Sequence, residues 1–168
     1  MPIKNDITQY LKAAILLHEN KSLIFSYSQE INLNTNWNNL LSHKKQIFHI
    51  NYSNNEGYIG FGICKTYDKK SKKDIKQLKN ITSTYQSYGS KTTLSLKLFG
   101  GVSFNIDQKS DSIWADVPKA LFYLPKLLLT KQKNKYYLSF NKILNKQSDI
   151  NKINAEYISY VQLIKDFK

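Results

Sequence analysis

The sequence predicts an α+β domain, a mostly antiparallel β-sheet with helices packed on one face. Two observations carry this. Segments rich in aromatic and β-branched residues come in consecutive pairs joined by turn residues, as antiparallel strands do. Segments with apolar residues at helical spacing stand apart from those pairs, near both ends of the chain.

The first element is a helix from Asp6 to about Glu19. Asp6 is placed to cap it, with Gln9 completing a capping box. Ile7, Tyr10, Leu11, Ala14, Ile15 and His18 form its apolar face. Ser22 to Ile31, "SLIFSYSQEI", alternates apolar and polar residues and reads as a half-buried strand. "NLNTN" breaks the pattern, and a short helix is expected at Trp37–His43. Gln46 to Ser53 and Tyr58 to Tyr67 read as strands joined by the turn "NNEG". Gly60 and Gly62, two apart in the second of these, suggest a bend or a closely packed neighbour.

Lys65 to Gln86 opens with the charge run "KTYDKKSKKDIKQLKN". Ile75, Leu78, Thr82 and Tyr85 follow at helical intervals, which predicts an amphipathic helix with a lysine-rich outer face. Strand character returns at Thr92 in "TTLSLKLFGGVSFN", and a loop carries Asp107, Asp111 and Trp114. Ala120 to Gln132 and Tyr136 to Ile143 then read as a hairpin turning at Asn134–Lys135. Pro125 has no N–H for a ladder, so it marks an edge or a bulge. "NKQSDIN" is a linker, and Lys152 to Lys168 reads as a final helix. Its apolar face is Ile153, Tyr157, Tyr160, Val161, Ile164 and Phe167.

The chain has 168 residues, 41% hydrophobic and 22% charged, a balance that suits one folded domain rather than a disordered chain. No apolar run approaches the ~18 residues of a membrane span, and the N-terminal segment lacks the pattern of a signal peptide. The single cysteine, Cys64, rules out an internal disulfide; a cytoplasmic protein is expected. The net charge is +13, and all 25 basic residues are lysine. Without arginine the chain lacks the planar fork that grips phosphates and guanine edges, which argues against a dedicated nucleic-acid reader.

No residue set carries recognisable catalysis. His18, His43 and His49 lack metal-ligand spacing, and no Walker loop, nucleophile elbow or HExxH occurs. Cys64 has no evident base beside it and reads as an inert thiol. Glu19, Glu30, Glu56 and Glu156 are not paired with other carboxylates. Asp107, Asp111 and Asp116 share a polar loop, where solvation is the ordinary state. No catalytic, metal-binding or cofactor-binding residue is therefore assigned.

The most distinctive stretch is "LFGGVSFN", followed by Trp114 and then "ALFYLPKLLLTKQKNKYYLSFN". Gly100, Gly101, Phe104, Trp114, Leu124 and Pro125 carry its pattern: a glycine pair between aromatics, a tryptophan, and a strand with Leu-Pro before a basic residue. With "IFHINYSNNEGYIGFGICKTY" upstream, this resembles the N-terminal portion of isochorismate synthases, within the chorismate-utilising enzymes. The resemblance covers roughly Gln46 to Ile143. It implies a parent enzyme that interconverts chorismate and isochorismate for menaquinone or siderophore synthesis, with Mg²⁺ holding the substrate carboxylate. It also implies that the activating lysine, the acid glutamate and the Mg²⁺-binding glutamates lie in a catalytic half not represented in these residues. On this reading residues 1–144 are an N-terminal α+β domain, and 145–168 are a linker and helix leading toward that half. The expected partner is the catalytic half, with chorismate met only through it; self-association through exposed apolar faces is a further expectation.

Two alternatives stay open at this level. One is the corresponding part of an anthranilate or aminodeoxychorismate synthase. The other is a basic single-stranded nucleic-acid module, for which 12 tyrosines, 8 phenylalanines and 25 lysines supply stacking and charge. The glycine pair poses its own question: it either bends a strand or admits something close. Its neighbours favour the structural answer.

Overall fold

The structure is a computed structural model describing residues 6–17, 22–33, 37–42, 46–53, 56–69, 76, 78, 81, 84–89, 96–103 and 118–166. In chain order the elements are α1 (Thr8–Leu17), β1 (Leu23–Ile31), a 3-10 helix (Trp37–Ser42), β2 (Gln46–Ser53), β3 (Glu56–Lys69), β4 (Tyr85–Gly89), β5 (Phe99–Val102), β6 (Ala120–Gln132), β7 (Lys135–Leu144) and α2 (Ile150–Lys165). The strands form one sheet in the order β2-β3-β6-β7-β1-β4, with β5 also paired to β6. Every pairing is antiparallel except β1 with β4. The α+β class with a mostly antiparallel sheet is the one the sequence predicts.

Both helices cover one face of the sheet. Ile7, Leu11 and Ala14 of the α1 segment are buried with Ile153, Tyr157, Val161 and Ile164 of α2. They meet Phe25, Tyr27, Phe61, Leu127, Leu129, Leu138 and Phe140 from the strands. The helices are also joined directly, since the Ile7 N–H donates to Asn154 Oδ1 at 3.1 Å. At the start of α1, Asp6 accepts from the Thr8 N–H at 2.8 Å. Asp149 caps α2 by accepting from the Lys152 N–H at 3.0 Å, so that helix begins two residues before its expected start.

Three expectations need correction. β1 is not half-buried: only Glu30 escapes full burial along Leu23–Ile31. Its central place between β7 and β4, and a second packed layer on the face away from the helices, account for this. The predicted helix over Lys65–Gln86 fails at both ends. Residues 65–69 complete β3, and Tyr85–Gly89 is β4, held parallel to β1 from Ile24↔Tyr85 to Ser28↔Gly89. Most of the intervening residues lie outside those described. Finally, the β6–β7 turn falls on Lys133 and Asn134, with Lys133 taking φ 54°.

The sheet bends where the sequence carries Gly62, Cys64 and Pro125. Gly62 has φ +60°, a conformation that favours glycine. The β3–β6 register shifts between Ile63↔Pro125 and Lys65↔Leu124, the mark of a bulge. At the same level β6 changes partner. It pairs with β7 from Leu127 to Gln132 and with β5 from Ala120 to Tyr123. The sheet thus forks at Pro125, and a second core forms beyond the fork around Ile24, Tyr67 and Leu124. Leu78, Ile81, Tyr85, Leu96, Leu98 and Phe122 pack against it.

Candidate functional site

The residues singled out by sequence gather only in part. Gly100 and Gly101 lie in β5 opposite Phe122 and Leu121 of β6, and Leu124 and Pro125 follow on that same strand. Phe104 and Trp114 lie outside the described residues, as do His18, His43, Asp107, Asp111 and Asp116. The Leu-Pro pair has two separate jobs. Leu124 is fully buried at the centre of the second core. Pro125 sits at the fork, where its carbonyl accepts a 2.9 Å hydrogen bond from Asn141 Nδ2 of β7. That bond ties the diverging strands together just beyond their last ladder pair, Leu127↔Phe140.

The two glycines also differ. A Cβ at Gly100 would stand 1.9 Å from the carbonyl oxygen of Leu121 and 2.7 Å from the Phe122 Cα. β6 backbone blocks that position, so β5 can lie against β6 only with glycine there. A Cβ at Gly101 would meet nothing within 4 Å. The earlier pair follows the same logic of close approach at Gly60, where a Cβ would fall 2.2 Å from the Phe48 ring. Phe48 in turn stacks on Phe99 of β5 with ring centroids 3.9 Å apart.

Sequence reading missed a polar cluster on the helix side of the fork. Glu156 of α2 receives Lys126 of β6 at 2.9 Å and, through its other oxygen, Lys142 of β7. The cluster is largely shielded, with Glu156 side-chain exposure of 23%. Burial resists ionisation of Glu156, but hydrogen bonds and charge from Lys142 and Lys126 outweigh it and hold its carboxyl below the ordinary value. The Glu156 hydrogen bond raises Lys126 against the opposing effect of burial. Cys64 lies close by, and burial pushes its thiol up to about 11 despite the two lysines. Each shift runs away from neutrality, so none of these three groups becomes a poised acid, base or nucleophile. The cluster instead clamps α2 across two diverging strands. One signal pointed to it: Glu156 adjoins the apolar stripe of Ile153, Tyr157 and Tyr160, where a carboxylate needs a partner.

The family resemblance implies Mg²⁺ for the whole enzyme. Among the described residues no three His, Cys, Asp or Glu side chains gather to hold a metal ion. Glu156, the carboxylate best placed inside the fold, is already matched by two ammonium groups. These residues do not fit a resident Mg²⁺ site, and no chemical step runs through one here. Among the described residues no helix is long and apolar enough to cross a membrane.

Comparison with known proteins gives a consistent answer. The sequence model of a family described as chorismate binding enzyme matches residues 9–168. No curated protein matches the chain. Among the solved structures that match is MenF, the menaquinone-specific isochorismate synthase of Escherichia coli, with a TM-score of 0.54 and 13% identity. The match covers 98% of this chain and 35% of that one, so the chain spans about a third of its length. At that identity the likeness speaks for the fold.

Proposed function

The chain belongs to the family of chorismate binding enzymes, and from that premise we propose that it is the N-terminal scaffold portion of an isochorismate synthase, cytoplasmic and without turnover of its own. The observation that carries this is the asymmetry of the structural match, nearly all of this chain against 35% of MenF. The chemistry supports it. Interconverting chorismate and isochorismate needs a group that activates water, an acid for the departing hydroxyl, and charge to hold a carboxylate. The buried titratable groups at the fork are moved away from the pH range where such a pair would work.

On this reading the domain contributes folded surface rather than reacting groups. The catalytic portion of the enzyme is its partner, and chorismate is met through that portion, in menaquinone or siderophore synthesis. A coupled assay for isochorismate, with Mg²⁺ and chorismate supplied, tests the proposal. No product above the uncatalysed rate is expected from this chain alone, and sustained turnover overturns the reading.

A further inference from the structure

The structure points to the outer edge of β5 as the place where this domain receives a strand from the catalytic portion of the same enzyme. This inference rests on the scaffold reading above and adds to it a specific surface.

The ladder shows which backbone groups are available. The Ser103 N–H donates to the Lys119 carbonyl at 2.8 Å, continuing the β5–β6 pairing one residue past Val102↔Ala120. In an antiparallel pair, residues that exchange hydrogen bonds alternate with residues whose N–H and C=O point the other way. Ser103, Gly101 and Phe99 therefore face β6, while Gly100 and Val102 direct their backbone groups outward. Among the described residues no strand pairs with that outer edge.

Sheets protect free edges with charge, proline or a bulge, because an open edge is a template for another strand. Phe99–Val102 carries no charge, proline or bulge, and only its four-residue length blunts it. Gly100, Gly101 and Val102 are exposed, Val102 to 44%. Gly101 sharpens the point. It lies outside the left-handed region and has open space where a Cβ would go, so nothing in the described chain requires glycine. A strand position that could hold a β-branched residue stays bare, which leaves room on the sheet face beside this edge.

Two observations choose the occupant. Nearly two thirds of a MenF-length chain lies beyond what this chain matches, which supplies a partner with strands to give. A second copy would bring another +13 charge against the first.

The test uses the whole chain and, as its probe, the polypeptide encoded directly downstream of Lys168, expressed separately with a tag. Val102→Pro removes an outward N–H without touching the β6 ladder, and Val102→Lys places a charge on the edge while keeping every backbone group. Both variants should melt near the wild-type temperature and bind the probe about tenfold or more weakly, a loss of 1.4 kcal/mol or more. Binding equal to wild type by the folded Val102→Lys chain overturns the docking edge and leaves the scaffold reading standing. A wild-type chain that does not bind the probe, or a downstream frame without such a polypeptide, removes both. A wild-type dimer that Val102→Lys converts to monomer assigns the edge to a second copy and overturns the proposal.

Discussion

The two faces of the central strands are both buried, yet they are made of different material. Toward the helices, β1 and β7 present Phe25, Tyr27, Leu138 and Phe140, which bury large apolar surface, with Tyr27 and Phe140 meeting Tyr157 edge-on. Toward the other side the same strands present Ser26, Ser28, Ser139 and Asn141, each no more than 6% exposed. Ser28 and Ser139 stand opposite each other and share a hydrogen bond of 2.8 Å between their hydroxyls. The difference teaches that burial does not have one meaning here. The helix face supplies stability through area. The serine face supplies small side chains that let a second layer approach, and each hydroxyl there must find a partner. Tyr67 Oη and Ser87 Oγ, on that second side, are buried and find no partner among the described residues.

The largest expected effects come from the helix face. Phe140→Ala opens a cavity beneath Tyr157 and should cost about 3–5 kcal/mol, read by urea unfolding. Leu124→Ala, in the second core, should cost about 2–3 kcal/mol, because half-buried neighbours can close around the gap. Hydrogen exchange should then rise in β5 and the start of β6 well before it rises in β7. Equal losses with uniform exchange would show one continuous core and break the comparison.

The serine face predicts a smaller, non-additive effect. Ser139→Ala leaves the Ser28 hydroxyl without its partner and should cost about 1–2 kcal/mol. Adding Ser28→Ala should recover part of that loss, since both polar groups are then gone. If the double variant is instead less stable by the sum of the two, the hydroxyl pair is not the relevant interaction.

How far the sequence revealed this arrangement follows from which pairings are local. The β6–β7 hairpin was legible because two apolar, aromatic-rich strands adjoin in sequence around a short polar turn. Both terminal helices were legible from their apolar stripes. β4 was not: Tyr85 fitted a helical period, and only a parallel pairing with distant β1 makes it a strand. The second layer was hidden for a related reason. Ser26 and Ser28 look solvent-facing in an alternating strand, and nothing nearby in sequence announces what covers them. Of the motif, Gly100 and Leu124 have clear structural roles, while Lys126, Lys142 and Glu156 meet only once three separate elements are folded together.

That cluster gives the smallest effect and the most specific signature. Glu156→Gln keeps the shape of the side chain but removes the charge that Lys126 and Lys142 share. A partly shielded network of this kind is worth about 1 kcal/mol or less at neutral pH. The sign of its pH dependence follows from the carboxyl being held below its ordinary value: stability is present above about pH 4.5 and is lost as pH falls through the lower folded value. Lys126 is raised, so its share is present below the ordinary lysine range and is lost only as pH rises through its elevated folded value. Between these limits the clamp should be flat with pH, and Glu156→Gln should lower that plateau and remove part of the acid slope. Wild type and variant losing stability in parallel below about pH 4.5 would mean that Glu156 is no better held in the folded chain than in the unfolded one, and that α2 is fixed to the fork by its apolar stripe alone.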